Sequence, residues 1–249
     1  MIPIKSETDL VKMRRACKVT GDTLRMIEEH IKPGVTTAQL DEIIEKFIRE
    51  QGCTPSFKNL YGFPASACIS VDDVVVHGIP SKKVYLEEGN IIGIDVGAYI
   101  HGFHGDGART FIVGKTTPEK EKLVQVTKEC FFMGIDGLKN GSRLGDIGGR
   151  VQSHAESHGY SVVRDLVGHG IGREMHEDPS VPNYGKIGRG IRLHSGMTIA
   201  IEPMINMGGY AVTTDQKDGW TVRTRDGSPS AHYENTVLIT DEGVEILTL

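Results

Sequence analysis

The 249-residue chain passes from helical to strand-like patterning twice, and no Pro/Ser-rich linker or low-complexity segment separates the two passes. That order constrains the fold more than any single motif does. Residues 6–31 place Leu10, Met13, Cys17, Leu24, Ile27 and Ile31 at helical spacing behind a Ser6-x-x-Asp9 capping box, with Pro33-Gly34 as the stop. A second helix is predicted from Thr37 through Leu40, Ile43, Ile44, Phe47 and Ile48 to Gly52. Short β-rich runs follow over about 66–113: ACISV, VVVHGI, NIIGIDVGAY and RTFIVG, punctuated by Gly, Asp and Pro. Helical spacing returns over about 118–139 and 142–158, with Gly141 and Gly159 near the ends. Strands return in SVVRDLVG, MTIAIEPMIN, WTVRT and HYENTVLIT, with DGS and DEG as turns. The result is an α+β pattern of two similar halves without a residue-level repeat, and one domain over 1–249 is the expected organisation.

Charge and cysteine usage exclude several classes of function. The 28 Lys and Arg and 33 Asp and Glu leave a net charge of -5, spread without a polybasic or polyacidic block, so neither a nucleic-acid site nor a membrane surface is expected. The start, MIPIKSETDL, is charged where a secretory signal needs an apolar stretch of roughly 7–15 residues, and no later run approaches the roughly 20 that span a bilayer. A cytoplasmic protein with reduced thiols is expected, because Cys17, Cys53, Cys68 and Cys130 are widely spaced and form no CxxC. Glycine, 31 of the 249 residues, falls beside acidic and histidine residues in IDVG, HGDG and GHGIG, where a chain needs tight turns or close backbone approach.

The chemistry-bearing residues sit in apolar surroundings. Asp95 lies in IIGIDVG and Asp106 in FHGDGARTFIV, with Tyr99-Ile100-His101-Gly102 between them. If that tetrapeptide is the turn, the two aspartates stand directly opposite each other, where like charges are destabilising unless a cation lies between them. A bulge would instead put them on opposite faces, and either Asp alone reads more readily as a turn residue than as a ligand. As a pair, each embedded where a charge is costly to bury, they point to a metal. In GHGIGREMHEDP, Gly168 and Gly170 leave the imidazole of His169 uncrowded just after a strand, and His176 follows beside two acidic residues. Glu202 ends the apolar run MTIAIEPM, where Pro203 removes a ladder donor, and Glu234 interrupts HYENTVLIT. A buried glutamate is rare unless paired or metal-bound. Four carboxylates and one imidazole are too few for two complete shells but suffice for two ions that share bridging carboxylates. The donor set favours Mn(II), Fe(II), Co(II) or Zn(II) without choosing among them.

The segments CISVDDVVVHGIP, GIDVGAYIHGFHGDGARTFIVG, VGHGIGREMHEDPSVPNYG, GMTIAIEPMIN, DGWTVRTRDGSPSAHYENTVLIT and EGVEILT together resemble the bacterial type I methionine aminopeptidases. KPGVTT and PSFKNLYGFPASAC extend the likeness over nearly all of 1–249. The resemblance implies the pita-bread architecture, two pseudo-symmetric halves around a curved antiparallel β-sheet with helices on the outer face. It implies hydrolytic removal of the initiator methionine from nascent chains, preferentially before a small second residue. Asp95, Asp106, His169, Glu202 and Glu234 would hold two divalent ions, with Asp106 and Glu234 bridging. Glu202 would also accept the proton of the bridging water, His176 would stabilise the oxyanion, and His77 would address the peptide nitrogen. Leu60, Tyr61, Phe63, Cys68 and Trp220 align with the methionine pocket, although Leu60 and Phe63 fit a core equally well and Cys68 fits simple packing. A monovalent cation site would involve Asp72, Val74 and Ser230. Asn235 stands where His is common in that family and Leu60 where Tyr is frequent. A monomer with transient ribosome contact is the expected working form. An X-Pro peptidase usually carries an additional N-terminal domain, a type II enzyme carries a helical insertion for which this chain has no room, and non-catalytic relatives lose metal ligands.

Overall fold

Local signals set the helices. In α1 (Glu7–Glu28), Ser6 Oγ accepts from the Asp9 amide and the Asp9 carboxylate accepts from the Ser6 amide, the reciprocal cap expected from the sequence. Helical geometry ends ahead of Ile31, which is nevertheless buried beyond the last turn. Thr36 and Gln39 form a second such cap at the start of α2 (Thr37–Glu50). In α3 (Pro118–Ile135), Thr117 caps the first turn and Pro118 occupies a position whose amide needs no partner. This helix is shorter than the predicted 118–139 because Asp136 turns to an extended ψ of 125°. α4 (Leu144–Ser157) begins later than predicted, with Asp146 accepting from the Arg143 amide. The computed structural model describes residues 2–249. Among the described residues no helix is long and apolar enough to cross a membrane.

In chain order the strands are β1 (Thr54–Pro55), β2 (Ala67–Val71), β3 (Val74–Val76), β4 (Ile91–Ile100), β5 (Phe103–Ile112), β6 (Ser161–Val162), β7 (Gly168–Gly170), β8 (Glu177–Val181), β9 (Thr198–Ile201), β10 (Met204–Asn206), β11 (Val212–Thr214), β12 (Val222–Thr224), β13 (Ser230–His232), β14 (Glu234–Ile239) and β15 (Val244–Ile246). A nine-stranded antiparallel sheet runs β1-β4-β5-β14-β9-β7-β8, with β2 also on β4 and β15 also on β14. Two three-stranded sheets, β13-β10-β6 and β11-β12-β3, complete the set.

The β4–β5 hairpin corrects one expectation. Its turn is the pair His101-Gly102, with φ of 54° and 83°, not the tetrapeptide Tyr99 to Gly102. A two-residue turn with both φ positive matches the twist of the flanking strands. The register therefore pairs Asp95 with Ala108 and Asp106 with Gly97. The two aspartates are diagonal neighbours on one face, since a slip of two residues preserves side-chain parity.

Two predicted strands each prove to be two. MTIAIEPMIN breaks at Glu202-Pro203 into β9 and β10, and the run through HYENTVLIT breaks at Tyr233 into β13 and β14. β9 and β14 belong to the large sheet, whereas β10 and β13 belong to a small one. The Tyr233 amide donates to the Pro203 carbonyl at the crossing point. The two glutamates thus sit where the chain leaves one sheet for another. One apolar core lies between α1, α2 and the β2/β4 side, and a second between α3, α4 and the β9/β14 side. The two halves expected from the sequence are these two helix-covered cores.

Candidate metal centre

Five adjacent strands of the large sheet, β4-β5-β14-β9-β7, bring Asp95, Asp106, Glu234, Glu202 and His169 into one place. Asp95 and Glu234 both face Ala108, from either side of β5, and His169 faces Ala200 at the end of β9. His169 Nε2 lies 3.5 Å from Asp106 Oδ2 and 3.8 Å from Glu202 Oε1. One donor atom each from Asp106, His169 and Glu234 falls within a 4.8 Å span. Asp106 and Glu234 are 3% and 1% exposed, so water does not neutralise their charge.

The imidazole of His169 is oriented for this role. Its Nδ1–H donates to the Gly170 carbonyl at 2.9 Å, which leaves the lone pair of Nε2 facing the carboxylates. His169 lies inside β7, not just after a strand as expected, and its flanking glycines serve the backbone more than the ring. A Cβ on Gly168 would meet the Ala200 carbonyl oxygen at 2.3 Å, and one on Gly170 would meet that of Asp178 at 2.1 Å. Only bare Cα atoms let β7 lie this close to its neighbours.

The electrostatics are those of a cation site. Burial, then the Asp106 charge, pushes the Asp95 carboxyl well up, and burial raises Asp106 to about 7. Burial and the neighbouring carboxylates push Glu202 and Glu234 well up too. Asp95 Oδ1, Asp106 Oδ1 and Glu234 Oε1 are buried without a hydrogen-bond partner. Such atoms are rare and call for an ion or water. Oxygen donors, one oriented nitrogen and an excess of mutually repelling negative charge fit divalent metal ions. Backbone bonds fix the ligands in turn: Thr236 Oγ1 accepts from the Asp106 amide at 3.0 Å and donates to its carbonyl at 2.9 Å.

Above the carboxylates opens a cavity of about 210 Å³ lined by Leu60, Tyr61, Phe63, Cys68, His77, His176 and Trp220, together with all five acidic and imidazole residues and Phe57. His77 has a φ of 58°, unusual for a residue with a side chain and common at functional sites. His176 packs edge-on to His169 at 4.4 Å between ring centroids and stacks with Tyr61 at 5.8 Å. Burial brings His77 and His176 each down to about 4, with a smaller contribution from the neighbouring imidazole, so both are neutral near pH 7. Phe63 meets Trp220 edge-on at 5.2 Å. Leu60 and Phe63 belong to an apolar cluster and also line the cavity, so the core and pocket readings coincide. Cys68 pairs with Asp95 across β2 and β4, and burial pushes its thiol well up, which leaves it an uncharged wall residue. The four cysteines are free, and all four are buried.

Three residues escaped the sequence reading. Phe57 carries no signal that separates it from core. His232 is buried, with Nε2 unpartnered 3.7 Å from Glu202 Oε2, and its place two residues before Glu234 in a strand-like run was the available clue. Arg109 donates to the Glu234 carbonyl at 2.5 Å and to Asn235 Oδ1 at 2.7 Å. Asn235 Oδ1 also accepts from Thr248 Oγ1 at 3.0 Å, so this side chain is held by Arg109 and the C-terminal segment. At the expected monovalent cation site, the Asp72 carboxylate is bound by Lys120 at 2.6 Å and Asn90 at 2.7 Å, and the Ser230 amide donates to the Asp72 carbonyl.

Comparison with known proteins identifies the family and the fold. Residues 11–241 match Metallopeptidase family M24. The chain is 56% identical to a methionine aminopeptidase of Clostridium acetobutylicum, covering 100% of this chain and 99% of that one. The crystal structure of methionine aminopeptidase from Rickettsia prowazekii superposes with a TM-score of 0.98 at 46% identity, covering 100% of both chains. That from Thermotoga maritima gives 0.98 at 44% identity, over 100% of this chain and 99% of that one. The architecture is accordingly the pita-bread fold, a curled antiparallel sheet with four helices. The chain belongs to the methionine aminopeptidases of metallopeptidase family M24.

Proposed function

We propose that this chain removes the N-terminal methionine from peptides and emerging proteins at a centre of two divalent ions held by Asp95, Asp106, His169, Glu202 and Glu234. The observation that carries the reading is the convergence of five donor side chains, four on adjacent strands and Glu202 just past the end of β9, with orphaned carboxylate oxygens, at the floor of an apolar cavity. Asp106 and Glu234, whose donor atoms lie near that of His169, would hold the ions together with Asp95 and Glu202. When bound, divalent ions supply Lewis acidity toward a carbonyl and lower the pKa of water into the neutral range.

The protein's own groups do the rest. Glu202 accepts a proton from the attacking water and delivers it to the departing amine nitrogen, so one water is consumed and free methionine and a shortened peptide result. His176, neutral and reaching over His169, donates an N–H to the carbonyl oxygen as negative charge develops there. His77 holds the scissile nitrogen. Leu60, Tyr61, Phe63, Cys68 and Trp220 enclose the methionine side chain, whose thioether adapts to an irregular apolar wall. Preference for a small second residue is carried over from the resemblance of the sequence to the type I enzymes. The metals are drawn from Mn(II), Fe(II), Co(II) and Zn(II). The donor and wall residues run from Phe57 to Glu234, in keeping with a single catalytic domain over 1–249. The substrate places the work in the cytoplasm, with transient contact at the ribosome.

Hydrolysis of a Met-Ala-Ser peptide is the test. Activity is expected to vanish with a chelator and return with Mn(II) or Co(II). Failure with every metal tried would sink the reading.

A further inference from the structure

A second group of metal-ligating side chains lies away from the cavity, on the outer helices. Glu129 of α3 and His154 and His158 of α4 each present a donor atom within a 4.8 Å span, and none of the three lines the cavity. His154 and His158 are one helical turn apart, so their rings share a face, with centroids 4.6 Å apart. His154 Nε2 lies 3.1 Å from Glu129 Oε2. Donors on one tetrahedral ion with bonds of about 2.0–2.1 Å are about 3.3 Å apart, so this pair already has the required separation.

The surroundings prepare each donor. His158 Nδ1 lies 2.9 Å from the His154 carbonyl oxygen, which can only accept, so Nδ1 carries the proton and Nε2 keeps its lone pair. Gln125 Nε2 donates to Glu129 Oε1 at 2.8 Å, which holds one carboxylate oxygen and leaves Oε2 for the imidazoles. That bond, ahead of the His154 contact, keeps the Glu129 carboxyl below its ordinary range and therefore anionic. His154 stands in the last turn of α4 and His158 caps it, where the partial negative charge of the helix C-terminus favours a cation. The His154 and Glu129 side chains are 19% and 39% exposed, which leaves the position open to solvent.

We infer that Glu129, His154 and His158 form a second divalent-cation site that joins α3 to α4 and takes a borderline ion of the zinc(II) class. Two imidazoles and one carboxylate are a zinc donor set with a fourth position left for water. The donor set is richer in nitrogen than the carboxylate centre, which separates the two sites by metal preference as well as by place.

The test is equilibrium dialysis of the metal-free full-length chain against Zn(II), with elemental analysis of the wild type, His154→Ala/His158→Ala and Glu129→Gln. Wild type is expected to hold one zinc more per chain than the double variant, and Glu129→Gln to weaken that ion about tenfold or more. Mn(II)-supported hydrolysis of a methionyl peptide is expected to be unchanged in both, because the catalytic cavity is untouched. Equal zinc content in wild type and the folded double variant, or in wild type and Glu129→Gln at limiting zinc, overturns the assignment.

Discussion

In the proposed mechanism His176 and Glu202 would divide the chemistry, one meeting only the peptide and the other also holding metal. His176 packs edge-on to His169, 4.4 Å from centroid to centroid, and stacks on Tyr61 at the cavity wall. Its replacement by Ala is expected to lower kcat about 10²- to 10³-fold, the usual cost of one oxyanion donor, with metal content near that of the wild type. Glu202→Ala is expected to abolish turnover and to reduce bound metal as well. Steady-state kinetics beside elemental analysis separates the two, and normal turnover in His176→Ala would overturn the role given to it. The cause of the His176 shift is burial first, so the ring remains neutral and donor-competent through neutral pH.

At the scale of elements, the site depends on how closely short strands approach. β7 has only three residues and carries His169 between two glycines. Gly170→Ala would drive a Cβ to 2.1 Å from the Asp178 carbonyl oxygen, a backbone atom that cannot move aside cheaply. The expected cost is about 1–3 kcal/mol of stability, as for other overpacked positions, together with a displaced His169. Denaturant melts and metal titration of Gly170→Ala measure both, and wild-type values in each would show that β7 tolerates wider spacing. The sheet crossings at Glu202-Pro203 and Tyr233 belong to the same scale. They put Glu202 one residue past the end of β9 and Glu234 at the first residue of β14, so both carboxylates stand where the chain changes sheet.

For the whole molecule, four buried carboxylates make the metal-free fold sensitive to pH. Burial raises the Asp106 carboxyl from its ordinary 3.8 to about 7 in the folded chain, so between those limits the folded state binds more protons than the unfolded chain. Stability of the metal-free protein therefore falls as pH rises through that window and recovers as it is lowered. Thermal melts in chelator are expected to give a lower Tm at pH 8 than at pH 5.5. Added Mn(II) is expected to raise Tm most at the higher pH, because a cation replaces the protons. A metal-free Tm that climbs from pH 5.5 to pH 8 would contradict this account.

Much of this was legible along the chain. The helix caps at Ser6 and Thr36, the alternation of helices and strands, and the carboxylates placed in apolar runs are local properties, and local sterics and hydrogen bonding decide them. The family resemblance supplied the rest of the site. Tertiary structure alone decided the register that makes Asp95 and Asp106 diagonal, since a two-residue turn and a longer one differ by backbone torsions that one glycine does not announce. It also decided which sheet each half of a broken strand joins, that His232 is buried beside Glu202, and that Arg109 reaches Asn235 and the Glu234 backbone. Those contacts join residues far apart in sequence. Their energies depend on the packing of whole layers and not on any local pattern.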